Sequence, residues 1–190
     1  AAMLAGLAGT IYAVGGIIAT PLVAMLGTRF GKRRTMIGGL SMVVVANILH
    51  WHLYTPAAPY LSLICMGMMA PGMSCFWILI GSMIADICDI DELDSGLRRE
   101  GMYAAIYSFL LKIAISAVFA ISGFLVTWTG VDPELAGTQT HETIFWMRFL
   151  FTIVPAAFVG LALIMCFYYP ITEKRVREVH QILKQRRQCP

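Results

Sequence analysis

Five long apolar runs constrain the fold of this chain more than any other feature. They cover roughly residues 1–26, 35–53, 60–88, 102–128 and 143–169. A helix needs about 20 residues to cross the hydrocarbon core of a bilayer, and each run is about that long or longer. Only helices and closed barrels satisfy all their backbone hydrogen bonds inside lipid. The pattern therefore predicts an all-α membrane protein with five transmembrane helices.

The composition supports this fold class and excludes others. The chain is 58% hydrophobic and 13% charged, whereas an ordinary soluble domain carries roughly 25% charged residues. The formal net charge is +3, but the basic residues fall in short clusters at the ends of the apolar runs. This distribution argues against a nucleic-acid partner and makes the lipid bilayer the expected surroundings. The five cysteines show no metal-ligand spacing, so we expect no metal site in this chain.

Lysine and arginine residues predict the orientation. Twelve of the fourteen lie in the turn 29–34, the pair Arg98–Arg99 and the tail 171–190. Basic residues in short loops mark the cytoplasmic side of a membrane protein. The loops 54–59 and 130–142 contain none of them. We therefore expect a multi-pass protein of the plasma membrane, in bacteria the inner membrane, with a cytoplasmic C-terminus.

The domain organisation follows from these spans. Residues 1–170 are expected to form one helical bundle, and residues 171–190 a cytoplasmic basic tail. In the tail, Val176, Val179 and Leu183 recur at i, i+3 and i+7 among basic residues, which predicts an amphipathic helix along the inner leaflet. The chain opens inside an apolar run without an initiator methionine, on the outer side if the C-terminus is cytoplasmic. We therefore expect further spans upstream.

The first apolar run is rich in small residues. Ala2, Gly6, Gly9 and Ala13 follow one another at three- and four-residue intervals. Small residues at this spacing let transmembrane helices approach closely. We expect this part of the first helix to pack against a neighbour.

A lysine interrupts the fourth run. Lys112 lies ten residues after Met102, which at 1.5 Å per residue is about 15 Å into the helix and near the bilayer middle. Ser108 and Ser116 flank it at i−4 and i+4, so one stripe of the helix is polar. A charge at the helix centre costs about 2.5–3.5 kcal/mol on the insertion scale and marks a pathway or a paired site. A functional cation and a structural ion pair both remain open.

A tryptophan lies well inside the third run. Ser74, Trp77 and Gly81 recur at i, i+3 and i+7, which places them on one helix face. An indole at that depth either packs in the core or serves as a stacking platform for the ring of a sugar or another ligand. The sequence leaves both interpretations open.

The third run ends in an acidic segment that begins at Asp86. The helix is expected to project past the lipid here. Asp86 and Asp89 lie one helical turn apart at the mouth of the bundle, and the basic residues expected on the same side are Arg29, Lys32, Arg98 and Arg99. Such charges either form a solvated turn or latch helix ends in one conformation and release them in another. Our expectation is a cytoplasmic gate formed by Asp86, Asp89, Arg29, Arg98 and Arg99.

These stretches together resemble a known family. Residues 85–92, residues 95–101 and Lys112 are similar to the corresponding part of the glycoside-pentoside-hexuronide:cation symporters, the melibiose permease-like branch of the major facilitator superfamily. Phe76–Trp77 and the basic turn at 29–34 extend the resemblance over nearly the whole chain. The resemblance implies that the five helices form most of a C-terminal six-helix bundle. The N-terminal half of such a transporter would be a further partner, outside this chain.

The resemblance also implies a function and a substrate site. The expected activity is cation-coupled symport of a sugar or glycoside by alternating access, with Trp77, Tyr107, Ser108 and Lys112 binding the substrate. The coupling cation, Na⁺ or H⁺, would be bound mainly by the N-terminal half, so this chain is expected to hold no cofactor. Related lysolipid carriers keep the membrane lysine, which makes a lysolipid or another amphiphile the alternative substrate.

Two functions from other classes have less support. A membrane scaffold or assembly protein needs neither a charge near the bilayer middle nor the polar stripe around Lys112. An intramembrane enzyme needs catalytic groups, and the sequence contains no HExxH motif and no aspartate pair deep within a span. We therefore expect a transporter and not an enzyme.

Overall fold

The computed structural model describes residues 2–53, 59–131 and 139–188, and these form helices almost throughout. The α-helices are α1 (Ala2–Phe30), α2 (Lys32–Leu53), α3 (Ser62–Ser95), α4 (Glu100–Trp128), α5 (His141–Phe167) and α6 (Glu173–Gln188). A 3₁₀ turn at Pro59–Leu61 leads into α3. The predicted all-α fold is confirmed. Most of the expected outer loops 54–59 and 130–142 lies outside the described residues.

Helices α1 to α5 are each long and apolar enough to cross a membrane, as predicted. Helix α3 has 34 residues, so at 1.5 Å per residue it is about 50 Å long, against a hydrocarbon core of about 30 Å. Its membrane span was expected at about residues 60–88, and the helix continues through the acidic segment to Ser95. Because no glycine or proline interrupts the acidic segment before Gly96, the helix projects beyond the lipid.

Two glycines set the turns at this end of the bundle. Gly31 separates α1 from α2 with φ 93°, and Gly96 ends α3 with φ 71°. Both lie in the left-handed region that glycine adopts without steric cost. The Gly96 N–H donates to the carbonyl oxygen of Glu92 at 2.9 Å, which caps α3. The helices therefore reverse direction within a few residues, and the charged segments next to these turns lie at one end.

The packed part of the bundle consists of α1, α2, α3 and α5. Helix α3 packs against both α1 and α2, and α5 packs against α2. The buried core side chains come from all four helices: Val23, Met36, Leu40, Cys75, Leu79, Met83 and Cys166. The described cysteines, including Cys75 and Cys166, are buried and free, as expected of small core residues.

Glycines bring α2 and α3 into backbone contact. A Cβ atom on Gly39 would lie 2.5 Å from the Cβ of Cys75, and one on Gly72 would lie 2.4 Å from Cγ2 of Val43. Carbon atoms do not approach this closely, so the crossing requires glycine at both positions. The contact fixes the rotation of α3 and thereby the side of the helix on which its charged residues lie.

The small residues at the start of α1 do not make the expected contact. A Cβ on Gly6 or Gly9 would meet no described atom within 4 Å, whereas one on Gly15 would lie 3.0 Å from the Cβ of Ala70. Helix α1 therefore approaches α3 through its later turns. The spacing of small residues in the sequence did not show that Gly15, and not Gly6 or Gly9, makes the close contact.

Helix α4 is held mainly at its ends. None of its described residues is buried. Near its start, Arg99 pairs with Asp91 of α3, and near its end the rings of Trp128 and Trp146 lie 5.2 Å apart. The length of α4 between these contacts is uncovered by the described part of the chain.

The tail forms helix α6, and its apolar face is covered by protein. Val176, Val179 and Leu183 are 7%, 0% and 6% exposed, and α6 packs against α3. This differs from the expected contact between these side chains and the inner leaflet. The reason is the projection of α3 beyond the lipid, which offers a protein surface where the sequence suggested only membrane.

The close approach of α2 and α3 predicts the effect of a single methyl group. Gly39→Ala should lower the free energy of unfolding by about 1–3 kcal/mol, because the added Cβ overlaps Cys75 and the helices must separate. The measurement is the thermal unfolding midpoint of the detergent-solubilised protein. Gly38→Ala is the control, since a Cβ at Gly38 meets no described atom within 4 Å. Equal midpoints for the two variants would contradict the predicted contact.

Candidate functional site

A polar stripe runs along the uncovered part of α4. It consists of Ser108, Lys112 and Ser116, all exposed. Lys112 is twelve residues from Glu100, the first residue of α4, or about 18 Å along the axis at 1.5 Å per residue. Within the described part of the chain, its ammonium has neither a hydrogen bond nor an ion pair. The charge lies deep in a membrane-length helix without a described counter-charge.

The hydroxyls of the polar stripe are also available. Further along α4, Ser122 and Thr127 each donate to a carbonyl of the preceding turn at 3.0 Å. Ser108 and Ser116 make no such bond to a described residue. Hydroxyls buried in lipid normally bond to their own helix or to a partner. The polar stripe therefore presents two hydroxyls and one ammonium that can bind a ligand, water or another segment of protein.

The two aromatic residues of the expected substrate site lie apart. Trp77 of α3 is 52% exposed, and its indole meets the ring of Phe76 edge to face at 5.4 Å. Tyr107, in the turn before Lys112, is partly exposed. No hydrogen bond, ion pair or ring contact between described residues joins Trp77 to Tyr107, Ser108 or Lys112.

A partly buried ion pair joins the start of α2 to the C-terminal part of α3. Lys32 Nζ lies 2.7 Å from both carboxylate oxygens of Asp86, and Asp86 is only 5% exposed. The backbone N–H of Lys32 donates to Oε1 of Glu173 at 2.6 Å. One residue of α2 therefore binds a carboxylate of α3 through its side chain and a carboxylate of α6 through its backbone.

Helix α6 also makes two polar contacts with α3. Nε2 of His180 lies 2.8 Å from Oδ2 of Asp89, and this contact is an ion pair only when the imidazole is protonated. Arg186 donates to the carbonyl oxygen of Leu93 at 3.5 Å. Together with the buried valines, these contacts hold the tail on the projecting part of α3. We call Lys32, Asp86, Asp89, Glu173 and His180 the terminal charge cluster.

Arg33 caps the end of α5. Its Nε donates to the carbonyl oxygen of Cys166 at 3.3 Å, and its Nη2 donates to that of Phe167 at 2.5 Å. The last carbonyls of a helix have no partner within it, and a cation satisfies them and opposes the negative end of the dipole. The basic turn between α1 and α2 thus binds three other helices, α3, α5 and α6.

Arg98 and Arg99 pair locally at the turn between α3 and α4. Arg99 donates to both carboxylate oxygens of Asp91, at 2.9 and 2.5 Å, and Arg98 donates to Glu100 at 2.5 Å. Hydrogen bonding to these carboxylates raises the pKa of both guanidinium groups. The pairs are solvent-exposed and stiffen the turn without reaching the terminal charge cluster.

No two of the five predicted gate residues pair with each other in the described structure. Their contacts are Asp86 with Lys32, Asp89 with His180, Arg98 with Glu92 and Glu100, Arg99 with Asp91, and Arg29 with the ring of Phe30 at 5.6 Å. Lys32 was expected on the same side as these residues, whereas His180 and Asp91 were not assigned to the gate. The spacing of Asp86, Asp89 and Leu93 at i, i+3 and i+7 could have indicated a face that binds the tail. Among the described residues, no His, Cys, Asp or Glu group could hold a metal ion.

Comparison with protein families gives one match over most of the chain. A family model described as MFS/sugar transport protein matches residues 1–173. No solved structure matches the chain significantly.

Curated relatives are distant and longer. The chain is 25% identical over 166 residues to the glucuronide carrier protein homolog of Escherichia coli strain K12, covering 87% of this chain and 36% of the relative. It is 27% identical over 173 residues to a putative sulfoquinovose importer of the same strain, covering 90% and 36%. A putative glycoside/cation symporter of that strain is 29% identical over 105 residues, covering 55% and 23%. The chain thus spans at most 36% of the length of these relatives.

The partly buried ion pair predicts the effect of neutralising one partner. Asp86→Asn should lower the free energy of unfolding by about 3 kcal/mol, because it leaves the Lys32 ammonium without its counter-charge. The thermal midpoint in detergent measures the loss. Asp94→Asn is the control, since Asp94 is exposed and has no ion pair with a described residue, and it should stay within about 0.5 kcal/mol of the parent.

A double variant separates the charge from the packing. Lys32→Met with Asp86→Leu removes both charges, and the stability should recover most of the loss, because no unpaired charge remains buried. Equal stability of Asp86→Asn and Asp94→Asn would show that the ion pair is unimportant.

Proposed function

Because the chain belongs to the MFS/sugar transport protein family, we propose that it forms part of a secondary active transporter that carries a sugar or glycoside with a cation by alternating access. The family-level resemblance in the sequence is confirmed by the same match. Relatives named as a glucuronide carrier, a sulfoquinovose importer and a glycoside/cation symporter support a sugar-like substrate. They are named as transporters and not as enzymes.

The observation that carries this proposal is the unpaired charge of Lys112. An ammonium near the middle of a membrane span costs several kcal/mol unless water or an opposite charge meets it. The polar stripe of α4 is uncovered along its length, so it has room to border a water-filled cavity. In this proposal the ammonium and the hydroxyl of Ser108 bind hydroxyl groups of the substrate.

The aromatic residues have separate roles in the proposed site. The exposed indole of Trp77 supplies a flat apolar surface against which a sugar ring can stack, and its N–H can donate to a sugar hydroxyl. Tyr107 supplies a phenol one residue before Ser108. Because no described hydrogen bond or ring contact joins Trp77 of α3 to Tyr107 of α4, substrate bound between the two helices would complete the site.

The remainder of the proposed transporter lies outside this chain. In transporters of this architecture the substrate binds near the bilayer middle between two bundles, and rocking of one bundle against the other exposes it to either side. We propose that a second bundle faces the polar stripe and carries the carboxylates for Na⁺ or H⁺. The turn between α1 and α2 and the tail would lie in the cytoplasm, as their basic residues indicate.

We assign the terminal charge cluster to the cytoplasmic gate. The pairs Lys32–Asp86 and Asp89–His180 hold the ends of α2, α3 and α6 together. Movement of these ends during alternating access would require at least one pair to open. The half-exposed Asp89–His180 pair is the weaker of the two, because water competes for it and its charge depends on protonation.

Replacement of Lys112 tests the transport proposal. Lys112→Met keeps much of the side-chain length but removes the charge, and coupled uptake by the full-length protein should fall at least 100-fold with expression retained. Lys112→Arg should recover only part of it, because a planar guanidinium does not fit the site of a compact ammonium. The measurement is uptake of radiolabelled glycosides per folded molecule, with lysolipids added as competitors to test the alternative substrate class.

Three results would count against the proposal. Uptake by Lys112→Met at the parental rate would remove the functional claim. Loss of folded protein with normal uptake per remaining molecule would make Lys112 a structural residue. Competition by lysolipids alone would assign the chain to the amphiphile carriers.

The proposed gate predicts that replacing Asp89 changes the conformational cycle more than the affinity for substrate. Asp89→Asn and His180→Gln should each alter the ratio of inward to outward accessibility of cysteine probes, with substrate affinity within about threefold of the parent. Because each variant removes the same contact between Asp89 and His180, the double variant should resemble each single variant. Asp94→Asn serves again as the control. Additive effects of Asp89→Asn and His180→Gln would show that the two residues do not act as a pair.

A further inference from the structure

A basic cleft lies where α1 and α2 meet the start of α6. Its volume is about 430 Å³. Its charged lining residues are Arg29, Arg33, Arg34, Glu173, Lys174 and Arg177. Five cations and one carboxylate therefore share one concave surface. None of them belongs to the proposed substrate site on α4.

Most of these cations lack a protein counter-charge. Arg34, Lys174 and Arg177 are exposed and make no ion pair or hydrogen bond to any described residue. Arg29 contacts only the ring of Phe30 among its described neighbours. Like charges gathered in a concave site produce a positive potential that attracts an anion. The carboxylate of Glu173, which accepts the Lys32 N–H, offsets only one of the five positive charges.

The backbone adds to this potential. Helix α2 begins at Lys32 and helix α6 begins at Glu173, so two helix N-termini border the cleft. The N-terminus of a helix carries a partial positive charge and favours phosphate and other anions. The described residues of the cleft come from two separate segments, and an anion between them would bridge Arg34 of α2 and Arg177 of α6.

We propose that the basic cleft binds a phosphate group. Guanidinium groups match phosphate oxygens in a bidentate arrangement, and several arginines from different segments can surround one phosphate. The cleft lies at the end of the membrane-length helix α1, at the level of lipid headgroups if α1 spans the bilayer. An anionic phospholipid and soluble inorganic phosphate offer the same chemistry to this site.

Lipid binding by the full-length protein tests the proposal without any transport measurement. Native mass spectrometry of the detergent-solubilised protein gives dissociation constants for phosphatidylglycerol, with phosphatidylcholine as the zwitterionic reference. Arg34→Gln with Arg177→Gln should weaken phosphatidylglycerol binding about 30-fold, at about fivefold for each basic residue near an anionic headgroup. Both side chains are exposed and unpaired among the described residues, so the thermal midpoint should not change.

The matched control removes the same charge outside the cleft. Arg175→Gln with Lys184→Gln also lowers the charge by two on α6, and neither residue lines the cleft. Its affinity for phosphatidylglycerol should stay within about threefold of the parent. Equal weakening in both double variants would reveal general attraction to anionic lipid and overturn the site. An unchanged affinity of the Arg34/Arg177 variant for phosphatidylglycerol would rule out a lipid headgroup in the cleft, and the measurement with inorganic phosphate below then decides whether the site exists.

A parallel arm uses inorganic phosphate in place of lipid. Binding of millimolar phosphate that is lost in the Arg34/Arg177 variant and kept in the control would support a soluble phosphate as the source. Preference for phosphatidylglycerol with the same variant pattern would support a lipid headgroup. If neither probe distinguishes the two double variants, the proposed site does not exist.

Discussion

The intolerance of lipid for unpaired charge explains where most ionisable groups of this protein lie. Twelve of the fourteen basic residues stand at helix ends or in the tail, and the buried carboxylate of Asp86 holds the ammonium of Lys32 at 2.7 Å. A charge within reach of hydrocarbon is stable only with a counter-charge or water. The long apolar helices and the short charged turns are therefore two consequences of one constraint. Lys112 and Arg148 are the two basic residues within spans; Arg148 lies over the ring of Trp51 at 4.8 Å, whereas Lys112 has no partner among the described residues.

The projection of α3 beyond the lipid organises the charged end of the bundle. Because α3 is longer than the bilayer core, its last turns offer Asp89 and Leu93 to the tail. The tail then buries Val179 completely against protein. Gly31 permits this arrangement, since its left-handed backbone and missing Cβ allow Glu173 to approach α2. A tail free in the inner leaflet could not couple to movement of α3, whereas one bonded to it can.

Hydropathy predicted the number and type of helices because bilayer thickness fixes how many apolar residues a span needs. The projection of α3 past the lipid was expected, but hydropathy does not give the residue at which the helix ends, since a helix can continue through polar residues once outside lipid. The unusual residues of the site, Lys112 and Trp77, were recognisable because each is rare at its depth. The distribution of basic residues placed Lys32 on the same side as Asp86, but only the structure shows that these two residues pair across 54 positions. Likewise Gly9 and Gly39 are equally small, but only the packed structure shows which one contacts a neighbour.

Lys32 and Lys112 show two solutions to the same energetic problem. The ammonium of Lys32 is held by two carboxylate oxygens, and a charge satisfied this way favours one fixed arrangement of α2 and α3. Lys112 has no such partner among the described residues, and in the proposed transporter water, substrate or the second bundle would stabilise it. Interactions of that kind can differ between two conformations, and a ligand shifts an equilibrium only through such differences. A permanently paired lysine can fasten helices, whereas an unpaired one can couple substrate binding to their movement.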